Sequence, residues 1–324
     1  MKKVFLFMLT FLLVISFNSL ASEYPSKDIE VICGWGAGGG TDAITRVISS
    51  NVEKLLGTSM YVVNVEGGQS GVAAKQVMDS KPDGYTLGAF TYDAIITVPR
   101  TKLINLYDLD KLKMICVITT ESDGLVVRSD SKWKTIDDLI NDAKARPGEI
   151  KVSIGGPGSG DHLSVLMIEE AFGVKFKVIP YPGGTGPVIE ALLSGELDVG
   201  VKSFGDFASI ISSGEARPLA ELSSERNPAF PDAPTFKELG HEGLERFSFV
   251  IIGVPSETPN EILDKLDKAF YDAQHSDEFR NWLKSIGVSP TYYGMSEVTE
   301  WAMGYQERIY KMLDSLVEKG VIEE

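Results

Sequence analysis

Apolar positions along this chain alternate between two periods. Residues 28–36 (DIEVICGWG) carry a short, nearly unbroken apolar run, the mark of a strand buried on both faces, and the run ends in glycines. From about Asp42 the period changes, and Ile44, Val47, Ile48, Val52, Leu55 and Leu56 recur at helical spacing until Gly57. A strand follows at 60–65, then a glycine turn at 67–71, a helix through Met78, a break at Pro82-Asp83-Gly84 and a strand at 85–90.

The order recurs further along. A strand at 149–154 enters the turn Gly155–Gly160, and Leu163, Leu166, Met167 and Phe172 mark a helix that ends at Gly173. A strand at 174–181 meets the turn Gly183–Gly186, then a helix runs to Leu193 and Gly195 and a strand spans 197–204. Strands alternating with helices predict βαβ units, here two α/β lobes of mostly parallel strands. In such sheets the ligand crevice lies at the carboxyl ends of the strands. All four glycine turns, together with Thr91-Tyr92 and Lys202-Ser203-Phe204 at the ends of the third strands, are thus expected to face one cleft.

Two apolar runs join the lobes. Met114–Thr120 leaves lobe one and Phe247–Val254 returns to it, which divides the mature chain into 22–119 plus 254–324 and 120–253. Two crossings of this kind predict closure of the lobes around a ligand. The remainder predicts helices at 260–274, 278–286 and 296–318, with Trp301, Tyr305, Ile309 and Leu313 of the last turned into the core.

The first residues follow a different grammar. Met1-Lys2-Lys3 is a basic start, Val4–Phe17 an uncharged apolar run of 14 residues, and Ser19-Leu20-Ala21 a small-residue site. This is the pattern of a secretory signal peptide cleaved after Ala21, and the run is shorter than the ~20 residues of a spanning helix. Cleavage leaves 303 of the 324 residues, enough for two domains. Loss of Lys2 and Lys3 moves the formal charge from −15 to −17. So acidic a surface, with no basic run, excludes nucleic acid and anionic lipid as partners. Two cysteines build no disulfide framework; Cys33 and Cys116 lie in separate apolar strands and are expected as buried thiols.

Gly34-Trp35-Gly36-Ala37-Gly38-Gly39 satisfies G-x-G-x-x-G between a strand and a helix, the form of a dinucleotide fingerprint. The acid that should bind the ribose, Glu66, lies 32 positions past Gly34, beyond the expected ~20. The second lobe repeats the turn without the fingerprint. The chemistry common to both readings is anion capture: free backbone N–H groups at a helix N-terminus, in the positive end of its dipole. Thr41 and Asp42 suit the N-cap, with Asp42 capping N–H groups or holding water. Trp35 and Tyr92 are placed in the cleft beside the turn. Lys202 interrupts an apolar strand and is either a countercharge for a second ligand carboxylate, or a lysine that snorkels outward or pairs with a neighbour such as Asp206. His162 has no metal-ligand partner at helical spacing, and no metal or cofactor is expected. No G-x-S-x-G elbow surrounds Ser159, and no carboxylate spacing singles out an acid–base pair, which argues against an enzyme.

With those residues in view, the whole mature sequence resembles the TctC/Bug-type substrate-binding proteins of tripartite tricarboxylate transporters. The resemblance runs through Tyr24-Pro25-Ser26-Lys27, GWGAGGGTDAITR (34–46), PDGYTL (82–87), GGPGSGDHL (155–163), VIPYPGGTGPVIEALLSGELD (178–198), PLAELSSERNPAFPDAPTFKELG (218–240) and GVPSETPNEILDKLDKAF (253–270). It implies a type II periplasmic-binding-protein (Venus flytrap) α/β fold of two lobes joined by two hinge crossings. It also implies a small organic carboxylate held by the two βα turns, partly through ordered waters. By position, Trp35, Gly38, Gly39 and Thr41 form the lobe-one turn. Gly156, Gly158, Ser159 and His162 form its counterpart, with Tyr181, Gly183 and Gly184 nearby. The chain departs from many relatives at Gly34 and Gly36, where they carry proline, and at Lys202, where they carry an acid. The implied role is a monomeric periplasmic receptor that delivers its ligand to membrane permease subunits. A sensory partner of a two-component kinase begins with the same binding event, and a secreted enzyme is the third possibility.

Overall fold

A computed structural model describes residues 24–288 and 290–318 of the chain, so the signal-peptide reading of residues 1–21 lies outside the described residues. The first repeat forms β1 (Ile29–Cys33), α1 (Gly40–Leu56), β2 (Met60–Asn64), α2 (Gly71–Met78) and β3 (Thr86–Phe90). β1 pairs in parallel with β2 from Ile29↔Met60 to Cys33↔Asn64, and with β3 from Glu30↔Thr86. The apolar run predicted as a buried strand is one: Ile29, Val31, Ile32 and Cys33 are fully buried. Gly57 closes α1 in the left-handed conformation, where glycine carries no Cβ penalty.

The second repeat forms β5 (Lys151–Ile154), α5 (Gly160–Phe172), β6 (Lys177–Pro180), α6 (Thr185–Ser194) and β7 (Gly200–Ser203). β5 runs parallel to β6, and Val152 bridges in parallel to Val199 just ahead of β7. The order β6-β5-β7 thus repeats β2-β1-β3, as the periodicity predicts.

The sheets are less parallel than expected. β3 is followed by an antiparallel neighbour, β9 (Phe247–Pro255), and β9 pairs antiparallel with β4 (Leu112–Arg128). β4 in turn pairs antiparallel with β7 and with β8 (Ala216–Glu221). The physical reason is that the chain crosses between lobes on strands. β4 is one continuous strand: Leu112–Ser122 pairs with β9, and Asp123–Arg128 with β7 and β8. Both predicted crossings therefore lie side by side as a ribbon that enters both lobes.

The remaining helices brace this ribbon. α8 (Asn260–Gln274) and α9 (Asp277–Ser285) join the lobe-one core through Leu263, Leu266, Phe270, Phe279 and Leu283. α10 (Val298–Glu318) packs Trp301 and Tyr305 against Phe247 and Phe249, and Tyr305 Oη donates to the Phe247 carbonyl at 2.8 Å. It also donates from Gln306 Nε2 and Tyr310 Oη to the carbonyls of Ile95 and Ile96, at 2.5 and 2.9 Å. These two carbonyls belong to a π-helical turn, Asp93–Thr97, directly after β3. Such turns are uncommon and cluster at functional sites; this one carries Asp93 to the cleft. Cys33 and Cys116 are buried free thiols. Among the described residues, no helix is long and apolar enough to cross a membrane.

Candidate functional site

The ends of both repeats and the hinge ribbon enclose a cavity of about 310 Å³. Its lobe-one wall is the turn Trp35–Thr41. Here α1 begins at Gly40, earlier than the expected start near Asp42, and its N-cap is Gly39. Asp42 lies inside the first turn instead and accepts from the Gly38 N–H at 2.9 Å. Arg46 Nε (2.9 Å) and Asn64 Nδ2 (2.8 Å) also donate to the Asp42 carboxylate. Burial works against the charge of Asp42, but these bonds from Arg46, Gly38 and Asn64 outweigh it and hold the carboxyl below its usual range. The turn is thereby fixed from behind. Gly40 and Thr41, whose N–H groups precede the first intrahelical bonds, face the cavity. Trp35 lines it too, pinned by a 2.9 Å bond from its indole N–H to Thr91 Oγ1 at the end of β3.

The lobe-two turn is occupied by its own side chains. Ser159, the N-cap of α5, accepts from His162 N; Asp161 accepts from Gly155 N at 2.9 Å, His162 N at 3.0 Å and the Ser159 hydroxyl. Lys202 Nζ stands 3.2 Å from Asp161 Oδ2. Burial works against the lysine charge, yet Asp161, Asp206 and Asp123 hold the ammonium above its ordinary range. The two turns are therefore unlike in chemistry: the second is largely filled by its own side chains, while the first turns Gly40 and Thr41 to the cavity, with Asp206 beside Gly40.

Two aspartates cross between lobes at equivalent positions, each three residues past its strand. Asp93, after β3, accepts from Gly160 N at the head of α5 at 3.4 Å. Asp206, after β7, accepts from Thr185 Oγ1 at 2.8 Å, and its Oδ1 lies only 2.7 Å from where a Cβ on Gly40 would stand. Burial first, then the nearby Asp161, pushes the Asp93 carboxyl up to about 6. Glu121, on β4, accepts from Ser203 Oγ at 2.5 Å; burial and then Asp206 push its carboxyl up to about 8. On the hinge side Arg246 ion-pairs with Asp123, the two side chains being 2% and 5% exposed. Ser164 Oγ donates to the same aspartate at 2.6 Å.

Of the residues singled out from sequence, Trp35, Gly38, Gly39, Thr41, Thr91, Ser159, Gly183, Gly184, Lys202 and Ser203 line the cavity. The other six are set back from it, each for a visible reason. Asp42 braces the turn from behind. Tyr92 is 1% exposed, its ring packed on Tyr305 and Phe249. Gly156 and Gly158 lean on lobe one instead of the cavity: a Cβ on Gly156 would stand 2.8 Å from Gln69 Nε2, and Thr97 Oγ1 donates to the Gly158 carbonyl at 3.1 Å. His162 is absorbed locally, its Nδ1 accepting from Gly158 N at 3.0 Å. Tyr181 packs against the apolar cluster of Val188, Leu192 and Phe207.

Sequence reasoning missed Asp93, Glu121, Asp123, Asp161 and Arg246, all of which line the cavity. For Asp93 and Asp206 the signal was the repeat itself, since both follow their strands by the same interval. Asp123 lies within a long apolar strand and Arg246 just ahead of another, with no spacing that marks them. No group of three or more His, Cys, Asp or Glu among the described residues is arranged to hold a metal.

Residues 44–316 match the family model described as the tripartite tricarboxylate transporter family receptor, TctC. A curated Cupriavidus necator relative, "UPF0065 protein in gbd 5'region", is 33% identical over 284 residues, covering 87% of this chain and 85% of its own. An R. palustris protein solved with adipate superposes with a TM-score of 0.84 at 26% identity, covering 89% of this chain and 97% of that one. The periplasmic binding protein BugD superposes with a TM-score of 0.80 at 25% identity, covering 93% and 99%.

Proposed function

The chain belongs to the tripartite tricarboxylate transporter receptor family, and on that premise we propose that it is a periplasmic solute receptor that captures a small organic carboxylate and hands it to membrane permease subunits. The observation that carries the reading is the asymmetry of the two turns. Gly38–Thr41 presents the head of a 17-residue helix to an inter-lobe cavity, while the opposite turn is closed by its own Ser159 and Asp161. Oriented amides and a helix dipole bind a carboxylate without a net positive surface, which suits a chain this acidic. The adipate held by the R. palustris relative is a ligand of that chemistry.

The reading extends to the whole life of the protein. Residues 1–21 direct export and are removed after Ala21; the mature chain acts as a monomer and performs no catalysis. Lobe one comprises 22–119 with 254–324 and lobe two 120–253, hinged on β4 and β9. Closure is what the permease recognises.

A thermal-shift screen of mono-, di- and tricarboxylates against sugars and amines tests this. A carboxylate at 100 times its dissociation constant should add about 2.7 kcal/mol of stability. The reading is falsified if no carboxylate stabilises the protein while a sugar or a cationic amine does.

A further inference from the structure

We infer that Arg246 anchors a second carboxylate at the hinge side of the cleft, so that the ligand held best is a dicarboxylate spanning from the Gly38–Thr41 turn to this guanidinium. The inference rests on the carboxylate reading above and names the residue that would set the ligand's second charge.

Arg246 is 2% exposed and lines the cavity. A guanidinium offers five N–H donors in a fixed fork. One, on Nη1, goes to Asp123; Nε is buried with no partner among the described residues. A buried donor left unmade is destabilising, and more so on a charged group. A carboxylate is the acceptor that matches the fork in a bidentate way.

The surroundings hold this group in place. The Tyr92 ring lies 4.5 Å from Cζ, the distance of a cation–π contact, which gives a role to a tyrosine otherwise lost to the core. The head of α5 makes room for it: a Cβ on Gly160 would lie 1.6 Å from Nη2 and 2.5 Å from Cζ. Glycine at 160 is thus required by Arg246, and the guanidinium sits on the first turn of a 13-residue helix, where the dipole also favours an anion.

An internal carboxylate already marks the spot. Asp93 Oδ1 lies 3.4 Å from Gly160 N, a long contact that a better-placed acceptor can displace. Burial, then Asp161, pushes the Asp93 carboxyl up to about 6, so its repulsion of an incoming carboxylate weakens in mild acid. Lys202, the other cation in the cavity, is committed to Asp161.

Calorimetry of succinate, glutarate and adipate, each against the monocarboxylate of the same chain length, tests the assignment. Wild type should favour the diacid, and Arg246→Gln should reduce that preference at least tenfold. Should that variant fail to fold, the pair Arg246→Met with Asp123→Leu leaves no buried lone charge and is read for the same ratio. A structure of the wild type with its preferred diacid provides a readout without mutation: a carboxylate oxygen about 3 Å from the guanidinium is expected. A wild type without diacid preference, a ratio unmoved in the variants, or a bound diacid whose carboxylates both lie away from Arg246 overturns the inference. Failure of wild type to bind any carboxylate instead defeats the reading beneath it.

Discussion

Lys202 Nζ lies 3.2 Å from the Asp161 carboxylate, and both side chains line the ligand cleft. Asp161 in turn holds the N–H groups of Gly155 and His162. Of the readings the sequence left open for Lys202, ligand countercharge or partner of a neighbouring acid, the structure shows a pair, with Asp161 in place of Asp206.

Removing one member of a buried pair strands the other, at a cost of about 3–5 kcal/mol. Lys202→Ala should therefore lower the urea midpoint strongly. Lys202→Met combined with Asp161→Asn should recover most of the loss. A Lys202→Ala protein of wild-type stability that binds dicarboxylates tenfold more weakly would return Lys202 to the ligand.

Asp206, past the last strand of the second repeat, stands against Gly40 of the first, where a Cβ would stand 2.7 Å from Oδ1. Gly40→Ala is expected to hold the lobes apart and weaken ligand about tenfold. Its melting temperature should not fall, because alanine is the better helix former by ~1 kcal/mol. Small-angle scattering with saturating ligand should show a more open particle than wild type. Equal affinity and equal closure would mean that the two lobes do not meet at this point.

Cys33 and Cys116 are fully buried, and burial raises both thiols above their usual range. Thiolate is the reactive form, so a thiol reagent at pH 8 should label neither site in the native protein and both in urea. Rapid native labelling of either would show that its strand opens.

Much of the architecture was legible because buried strands leave continuous apolar runs and glycine turns punctuate them. The duplication was visible in Ile29–Cys33 and Lys151–Ile154, each running into glycines and then a helix. The antiparallel ribbon was only half visible: Met114–Thr120 reads as a strand, but nothing local says that it pairs with Phe247–Val254. The site divides in the same way. Residues in the turns were found from backbone requirements, which are local. Glu121, Asp123 and Arg246 reach the cavity because β4 and β9 cross between lobes, a relation set by tertiary pairing. Tyr92 was misplaced for a related reason: the π-helical turn at Asp93–Thr97 puts Asp93 at the cleft and leaves Tyr92 behind Arg246.

The cleft and its rear wall hold four carboxyls whose folded values lie above their ordinary ones, Asp123 among them through burial. Glu121 rises from 4.5 to about 8, by burial and then by Asp206, with Asp123 and Glu221 adding to it. Asp93 rises from 3.8 to about 6 and Glu221 from 4.5 to about 7, burial being the largest cause in each. Between its unfolded and folded value, each group binds a proton in the native protein that the unfolded chain releases. Stability from these groups is therefore complete below about pH 4 and is lost as pH rises towards 8, by at most about 1.4 kcal/mol per pH unit for each proton. Asp42 and Asp161, held below their usual range, act in the opposite sense and only in acid, so the two windows separate. Calorimetric melting at pH 5, 6.5 and 8 should show wild type falling across the series. Glu121→Gln keeps a side-chain oxygen to accept from Ser203 Oγ and removes the titration, so its curve should be flatter, with the largest gain over wild type at pH 8. Parallel slopes for the two proteins would mean that Glu121 is ionised throughout.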